Sequence, residues 1–146
     1  MKLLIFGHGY TARHLVDALP PLAEPVRVTT RSAEKAAALE QAGLAARVFP
    51  GSDMTGDLDW ASHLLICAGP QDGRDPVLAE LRDAIAARAD RLTWVGYLST
   101  TGVYGDHQGG WVDEQTPLAP TTARGRARVD AEAEWLDLFR QFGLPL

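Results

Sequence analysis

The stretch KLLIFGHGYTA, residues 2–12, decides how the rest of this chain is read. Its apolar residues Leu3–Phe6 predict a short buried strand, and the small residues that follow predict a tight turn into a helix. A strand, a glycine turn and a helix in that order direct backbone N–H groups and the positive end of a helix dipole toward a phosphate. An ordinary flexible connection between strand and helix is the alternative interpretation of the same residues.

The small residues of this turn match the GxGxxA pattern typical of dinucleotide-binding turns. Gly7 allows the chain to turn sharply, Gly9 lets a pyrophosphate approach the backbone, and Ala12 lets the helix pack closely on the sheet. The predicted cofactor-binding turn consists of Gly7, His8, Gly9, Tyr10, Thr11 and Ala12.

The composition describes one globular domain. The chain has 146 residues, of which 46% are hydrophobic and 23% charged, and its formal net charge is -5. This charge argues against a nucleic-acid or membrane partner. The single cysteine, Cys67, lies in an apolar run and is expected in the core rather than as a nucleophile, and the histidines show no metal-ligand spacing. The apolar N-terminus is too short for a secretory signal, so we expect a cytoplasmic location.

Apolar runs alternate with helical patterns along the chain. They predict strands near Leu3–Phe6, Val26–Thr30, Ala46–Phe49, His63–Ala68 and Thr93–Leu98, and helices near Thr11–Leu19, Ser32–Ala42, Pro76–Ala89 and Thr122–Phe142. Residues 51–62 lack a helical period and predict a loop or a single turn. The alternation predicts an α/β protein whose parallel sheet carries helices on both faces, in three layers.

The last five residues, FGLPL, predict a helix end followed by the first residues of another strand. That strand would leave one edge of the sheet unfinished. We therefore expect the chain, residues 1–146, to be the N-terminal part of a longer protein, with further strands and a substrate lobe beyond it.

The end of the second predicted strand indicates which dinucleotide is bound. An acid there bonds the 2′-hydroxyl of NAD, whereas basic and hydroxyl residues suit the 2′-phosphate of NADP. Thr30, Arg31 and Ser32 stand at this point without an acid, which favours NADP and leaves NAD as the alternative. A solvated arginine at a helix start is the other interpretation of Arg31.

Residues after the third and fourth strands complete the predicted cofactor site. Asp53 could bond the adenine amino group or be an exposed turn aspartate. Small residues where the cofactor would cross the sheet edge are Ala68, Gly69 and Pro70.

Residues 97–106 read YLSTTGVYGD and are followed by Asp113, Glu114 and two prolines, Pro117 and Pro120. This resembles the SSxxVYG, E and P stretch of the extended short-chain dehydrogenase/reductases, in their nucleotide-sugar epimerase and dehydratase branch. With the glycine turn, the resemblance covers essentially the whole chain. It implies a Rossmann-type doubly wound sheet, hydride transfer with NAD(P), a small-molecule substrate such as a nucleotide sugar, and a homodimer. It also implies that Thr100 occupies the catalytic Ser/Thr position.

The chain departs from the family at its catalytic YxxxK pair. No tyrosine has a lysine four residues on, and the family's tyrosine and lysine positions align with Arg124 and Arg128. Arginine, with a pKa above about 12, cannot donate a proton near neutral pH. Arg128 could still bond ribose hydroxyls, and Arg124 could hold a phosphate or carboxylate of the substrate. The alternative is an exposed helix on which Arg128 pairs with Glu132.

The candidate catalytic residues are therefore Thr100, Tyr104, Arg124 and Arg128, with Tyr104 as a substrate-lining ring or a replacement acid. Two functions remain open: an NAD(P)-dependent epimerase, dehydratase or reductase with a non-standard active site, and a non-catalytic NADP(H) sensor. A Rossmann methyltransferase would explain neither the VYG stretch nor Arg31.

Overall fold

A computed structural model describes all residues, 1–146. Strands and α-helices alternate along the chain as β1 (Leu3–Phe6), α1 (Tyr10–Ala18), β2 (Arg27–Thr30), α2 (Ala33–Gln41), β3 (Ala45–Val48), α3 (Thr55–Trp60), β4 (His63–Ile66), α4 (Pro76–Ala86), β5 (Trp94–Tyr97) and α5 (Ala123–Phe142). Single turns of 3-10 helix lie at Ala89–Arg91 and Thr101–Val103. No helix is both long and apolar enough to cross a membrane.

The strands form one parallel sheet in the order β3-β2-β1-β4-β5. From β1 the chain moves outward through β2 and β3, then returns to the other side of β1 for β4 and β5. The strand order therefore reverses between β1 and β4, and a crevice opens there at the carboxyl ends of the strands. This arrangement confirms the predicted Rossmann-type, doubly wound α/β fold.

The alternation of side chains along β1 divides the core between the two faces of the sheet. Leu4 and Phe6 belong to a cluster of 17 buried residues with α3, α4 and α5. Leu3 and Ile5 point to the other face, where a cluster of eight includes residues of α1 and α2. Both faces of β1 are thus covered, as expected for a central parallel strand.

The third crossover contains the six-residue helix α3, where the sequence predicted a loop or a single turn. Six residues are too few to show a helical period, and tertiary contacts stabilise this helix instead. Leu58 enters the core, and the buried Asp57 carboxylate lies 2.7 Å from Nη1 of Arg27 and 3.3 Å from Nε of Arg47.

A buried hydrogen-bond network joins α4 to α5. Asp75 caps α4 by accepting the N–H groups of Val77 and Leu78, and its second oxygen accepts Nε1–H of the fully buried Trp135 at 3.1 Å. After α5 the chain returns to the sheet, where the Val95 N–H donates to the Pro145 carbonyl at 2.8 Å. These contacts fix α5 relative to the carboxyl edge of β4 and β5.

Candidate functional site

The glycine turn after β1 is held by the neighbouring strand β2. The Gly7 N–H donates to Oγ1 of Thr29 at 2.9 Å, and the His8 N–H donates to the Thr29 carbonyl at 2.8 Å. Gly7 has a φ of +95°, and a Cβ there would lie 2.9 Å from the backbone nitrogen of Ala68. Only glycine fits this position without strain, because both the backbone angle and the space exclude a side chain.

Helix α1 begins with open amide groups. Gly9 is its N-cap, and no side chain caps it. The N–H groups of Tyr10, Thr11 and Ala12 therefore have no acceptor, since the first intrahelical partner of this turn is the N–H of Arg13. A Cβ at Gly9 would meet nothing within 4 Å. Open amides beside open space at a helix N-terminus are suited to bind an anion.

A cleft of about 540 Å³ runs along the carboxyl edge of the sheet, from the β2–α2 connection to the start of α5. Its lining contains three basic residues, Arg31, Lys35 and Arg124, and no acidic one. This is notable in a chain whose net charge is -5. The remaining lining residues are Gly7, Gly9, Thr29, Thr30, Ser32, Phe49, Pro50, Cys67, Ala68, Gly69, Pro70, Gln71 and Pro76.

The basic end of the cleft contains one residue that the sequence analysis missed. Lys35 lines the cleft beside Arg31, and its Nζ donates to the His8 carbonyl of the glycine turn. Ser32 caps α2 by accepting the Lys35 N–H at 3.2 Å. The sequence signal was closeness along the chain: Arg31 directly precedes Ser32, the N-cap of α2, and Lys35 lies in the first turn of that helix, so both cations lie near its N-terminus.

The turn residues differ in their positions. Gly7 and Gly9 line the cleft, whereas Ala12 is fully buried beneath the turn. The His8 side chain does not line this cleft; it lines a smaller hollow between α1 and α2. Burial, and then the charge of Lys35, lower the pKa of His8 below its usual value, so the imidazole is neutral at pH 7.

Tyr10 and Thr11 are exposed, and neither side chain lines the cleft. The Tyr10 ring packs against the His14 ring, with 4.4 Å between the centroids. Their backbone N–H groups are among the open amides at the start of α1.

The end of β4 supplies the small residues that were predicted to line the site. Ala68, Gly69 and Pro70 all border the cleft. Cys67 also borders it: the residue is half-buried and packs against the core cluster on the α1 and α2 face, so it lies at the margin of the predicted core. Burial raises the pKa of the Cys67 thiol to about 11, which keeps it protonated and non-nucleophilic near neutral pH.

Asp53 lies outside the cleft in an exposed turn. Its carboxylate accepts the Thr55 N–H at 2.9 Å, and hydrogen bonds from Thr55 lower its pKa. Of the two roles expected for Asp53, this geometry corresponds to the turn aspartate.

Thr100 and Tyr104 follow β5 and do not line the cleft. Thr100 is exposed, and its Oγ1 accepts the Gly102 N–H at 3.3 Å to cap the 3-10 turn that follows. Tyr104 ends that turn and is half-buried. The two hydroxyls that the family resemblance places near the reacting atoms thus lie beside the cleft and not within it.

The two arginines of α5 have different environments. Arg124 is exposed and lines the cleft. Arg128 is buried, with Nη1 donating to the Leu98 carbonyl and to the Tyr97 hydroxyl. Burial raises the pKa of Tyr97 to about 12, although the charge of Arg128 opposes this shift.

The expected pair between an exposed Arg128 and Glu132 does not form. Glu132 instead accepts the Ser99 hydroxyl. Arg128 turns inward because Gly69 leaves room for it: a Cβ at Gly69 would lie 2.7 Å from Nη2 of Arg128.

The residues present fit a dinucleotide. The glycine turn is a cradle that a Cβ at Gly7 would fill, the first turn of α1 offers open amides, and the cleft carries positive charge at both ends. A ligand with a central diphosphate matches these open amides and the basic lining.

Comparisons with known proteins agree with the fold. No family model and no curated protein matches the chain. A functionally unknown conserved protein from Silicibacter pomeroyi DSS is 52% identical over 94% of this chain and 49% of that chain, with a TM-score of 0.85. This similarity covers nearly the whole chain, but the function of that protein is unknown.

Solved enzymes share the fold at lower identity. UDP-glucuronic acid 4-epimerase from Bacillus cereus in complex with NAD is 19% identical over 99% of this chain and 54% of that chain, with a TM-score of 0.76. dTDP-glucose 4,6-dehydratase from Bacillus anthracis in complex with NAD is 16% identical over 99% of this chain and 52% of that chain, with a TM-score of 0.68. The chain spans about half the length of these structures. It therefore has the Rossmann-like fold seen in NAD-binding nucleotide-sugar epimerases and dehydratases.

Proposed function

We propose that this chain binds a nicotinamide dinucleotide along the carboxyl edge of its sheet. The observation that carries the proposal is the glycine turn. Any residue other than glycine would be strained at the position of Gly7, and the turn leads into three open amides at the crevice between β1 and β4. The diphosphate would accept these N–H groups, with Gly9 giving it access. The fold neighbours in complex with NAD support the same ligand class.

NADP(H) is the preferred form in this proposal. Arg31, Ser32 and Lys35 lie together at the end of the cleft next to β2, and no acid is present there to bond a ribose 2′-hydroxyl. Two cations favour a 2′-phosphate, since charge-assisted hydrogen bonds are the strongest that side chains offer.

Calorimetric titration with NADPH and NADH tests both statements. The unchanged chain should bind NADPH more tightly than NADH, and Arg31→Ala should remove that difference. Arg140→Ala, an exposed arginine at the end of α5, is the matched control and should keep it. Absence of heat with either nucleotide at millimolar concentration would remove the cofactor claim.

We further propose that the protein containing this domain is an epimerase, dehydratase or reductase of the extended short-chain type, acting in the cytoplasm on a small molecule such as a nucleotide sugar. The cofactor, when bound, supplies hydride transfer. Thr100 would hydrogen-bond the reacting oxygen, Tyr104 would line the substrate space, and Arg128 would bond ribose hydroxyls with its free Nη2. A homodimer is part of this proposal by family resemblance.

The position of Arg124 favours a second candidate, a non-catalytic NADP(H) sensor. At the end near α5, the cleft lining has neither a tyrosine–lysine pair nor a carboxylate that could pass a proton. Arg124 lies there instead. Turnover of a panel of nucleotide sugars by the full-length protein separates the two functions. The enzyme predicts turnover that Thr100→Val abolishes, and the sensor predicts nucleotide binding without turnover.

A further inference from the structure

The first turns of α5 are fixed against the residues that follow β5. Thr122 caps the helix by accepting the Gly125 N–H at 3.0 Å. Gly125 is buried, and a Cβ there would lie 2.7 Å from the Gly102 carbonyl, so the two backbones are in close contact. The positions of Arg124 and Arg128, on either side of Gly125, are therefore set by backbone packing.

Arg128 is a buried cation without an anion. Only 9% of the residue is exposed, and no carboxylate lies within 4.0 Å of its guanidinium. Its Nη1 uses two neutral acceptors, and its Nη2 has no partner and lies against the cleft-lining Gly69. Burying an unpaired charge is costly, so an anion at this end of the cleft would be attracted strongly.

The nearby carboxylates are already engaged. Glu132 accepts the Ser99 hydroxyl, and Asp75 is used by the α4 cap and by Trp135. Neither carboxylate forms an ion pair with Arg128.

Arg124 lies one helical turn before Arg128 and borders the same end of the cleft. It makes no ion pair and no side-chain hydrogen bond, so its guanidinium fork is available to a ligand. Arg31 and Lys35 lie at the opposite end of this cleft, next to β2.

Resting on the dinucleotide site proposed above, we propose that the α5 end of the cleft binds an oxyanion of the substrate, a carboxylate or a phosphate. Arg124 contacts this group through its guanidinium fork, whose geometry matches both oxyanions. Arg128 adds a fixed positive charge behind it. The substrate class is thus a molecule that carries a carboxylate or phosphate group.

The test uses the chain saturated with NADPH, so that the phosphate sites of the cofactor are blocked. Malonate, inorganic phosphate and uncharged malonamide are titrated by calorimetry. We expect malonate or phosphate to bind and malonamide not to bind. Tighter binding of malonate assigns a carboxylate substrate, and tighter binding of phosphate assigns a phosphorylated one.

Arg124→Gln should weaken binding of the preferred anion about tenfold, since it removes a charged bidentate donor. Arg126→Gln is the matched control, because Arg126 is exposed on the same helix and does not line the cleft; it should leave the affinity unchanged. Both variants should keep the thermal midpoint of the unchanged chain. An equal effect of the two substitutions, or equal binding of malonamide, would overturn the proposal.

NADPH binding is measured first in the same protein, which separates the two ideas. If NADPH binds and neither anion does, only the oxyanion site is rejected. If NADPH itself fails to bind, the cofactor proposal and the oxyanion site are both rejected.

Discussion

Replacing Gly9 by alanine separates ligand binding from folding more cleanly than any other change in the cleft. Gly9 has a φ of -97° and a ψ of -159°, which alanine adopts readily, and a Cβ there meets nothing within 4 Å. Loss of the glycine N-cap costs about 0.5 kcal/mol, and the reduced entropy of the unfolded chain returns about as much. The free energy of unfolding should therefore stay within about 0.5 kcal/mol of its original value.

The affinity for NADPH should fall sharply in the same variant. The new methyl group projects toward the space that the diphosphate needs to reach the open amides of α1. We expect a loss of about 1.4 to 2.8 kcal/mol in binding, which corresponds to about a 10- to 100-fold increase in Kd. Calorimetric titration with NADPH measures this change, and urea denaturation measures the stability.

Gly7→Ala is the contrasting variant. Here the φ of +95° and the 2.9 Å approach to the Ala68 nitrogen strain the folded chain itself. The expected cost is about 1 to 3 kcal/mol of stability, which lowers the thermal midpoint by roughly 2 to 12 °C. If Gly9→Ala bound NADPH as tightly as the unchanged chain, the placement of the diphosphate at this turn would be refuted.

Three further outcomes follow from buried polar groups. Asp75→Ala removes three hydrogen bonds and should lower the free energy of unfolding by about 2 to 4 kcal/mol, whereas Asp75→Asn should cost less. An unchanged urea midpoint for the alanine variant would contradict the stabilising role of this hydrogen-bond network. The lowered pKa of His8 means that the folded chain binds fewer protons than the unfolded chain, so the free energy of unfolding should fall as the pH drops below about 6.5. Denaturation series at several pH values measure this dependence, and His8→Gln should flatten it. Cys67, with its pKa raised to about 11, should react slowly with a thiol-specific chromogenic reagent at pH 8 and faster toward pH 11; fast labelling of the folded chain at pH 8 would show that the thiol is not shielded.

The sheet and the glycine turn could be predicted because their signals are local. The apolar run Leu3–Phe6 alone predicts a strand buried on both faces, and Gly7 directly after it predicts the sharp turn. Helix α3 could not be predicted from a period, because its stability depends on contacts between Asp57 and arginines of two strands.

The candidate site was predictable only in part, since several of its features depend on tertiary packing. A charged residue in a helical pattern predicts an exposed side chain, yet Arg128 is buried because Gly69 makes room for it and the Leu98 carbonyl accepts a hydrogen bond from its guanidinium. Lys35 could be recognised as a cleft residue only once the orientation of α2 relative to the glycine turn was known. Thr100 and Tyr104 were selected by family resemblance, and their distance from the cleft lining depends on the path of the chain after β5.

The most direct test of the central claim is a titration of the ¹⁵N-labelled chain with NADPH, followed by NMR. The account predicts saturable binding, with the largest backbone amide shifts at Tyr10, Thr11 and Ala12 and further shifts at Arg31 and Lys35. Saturable binding that leaves the amides of this turn unmoved, or no binding at millimolar NADPH, would contradict it.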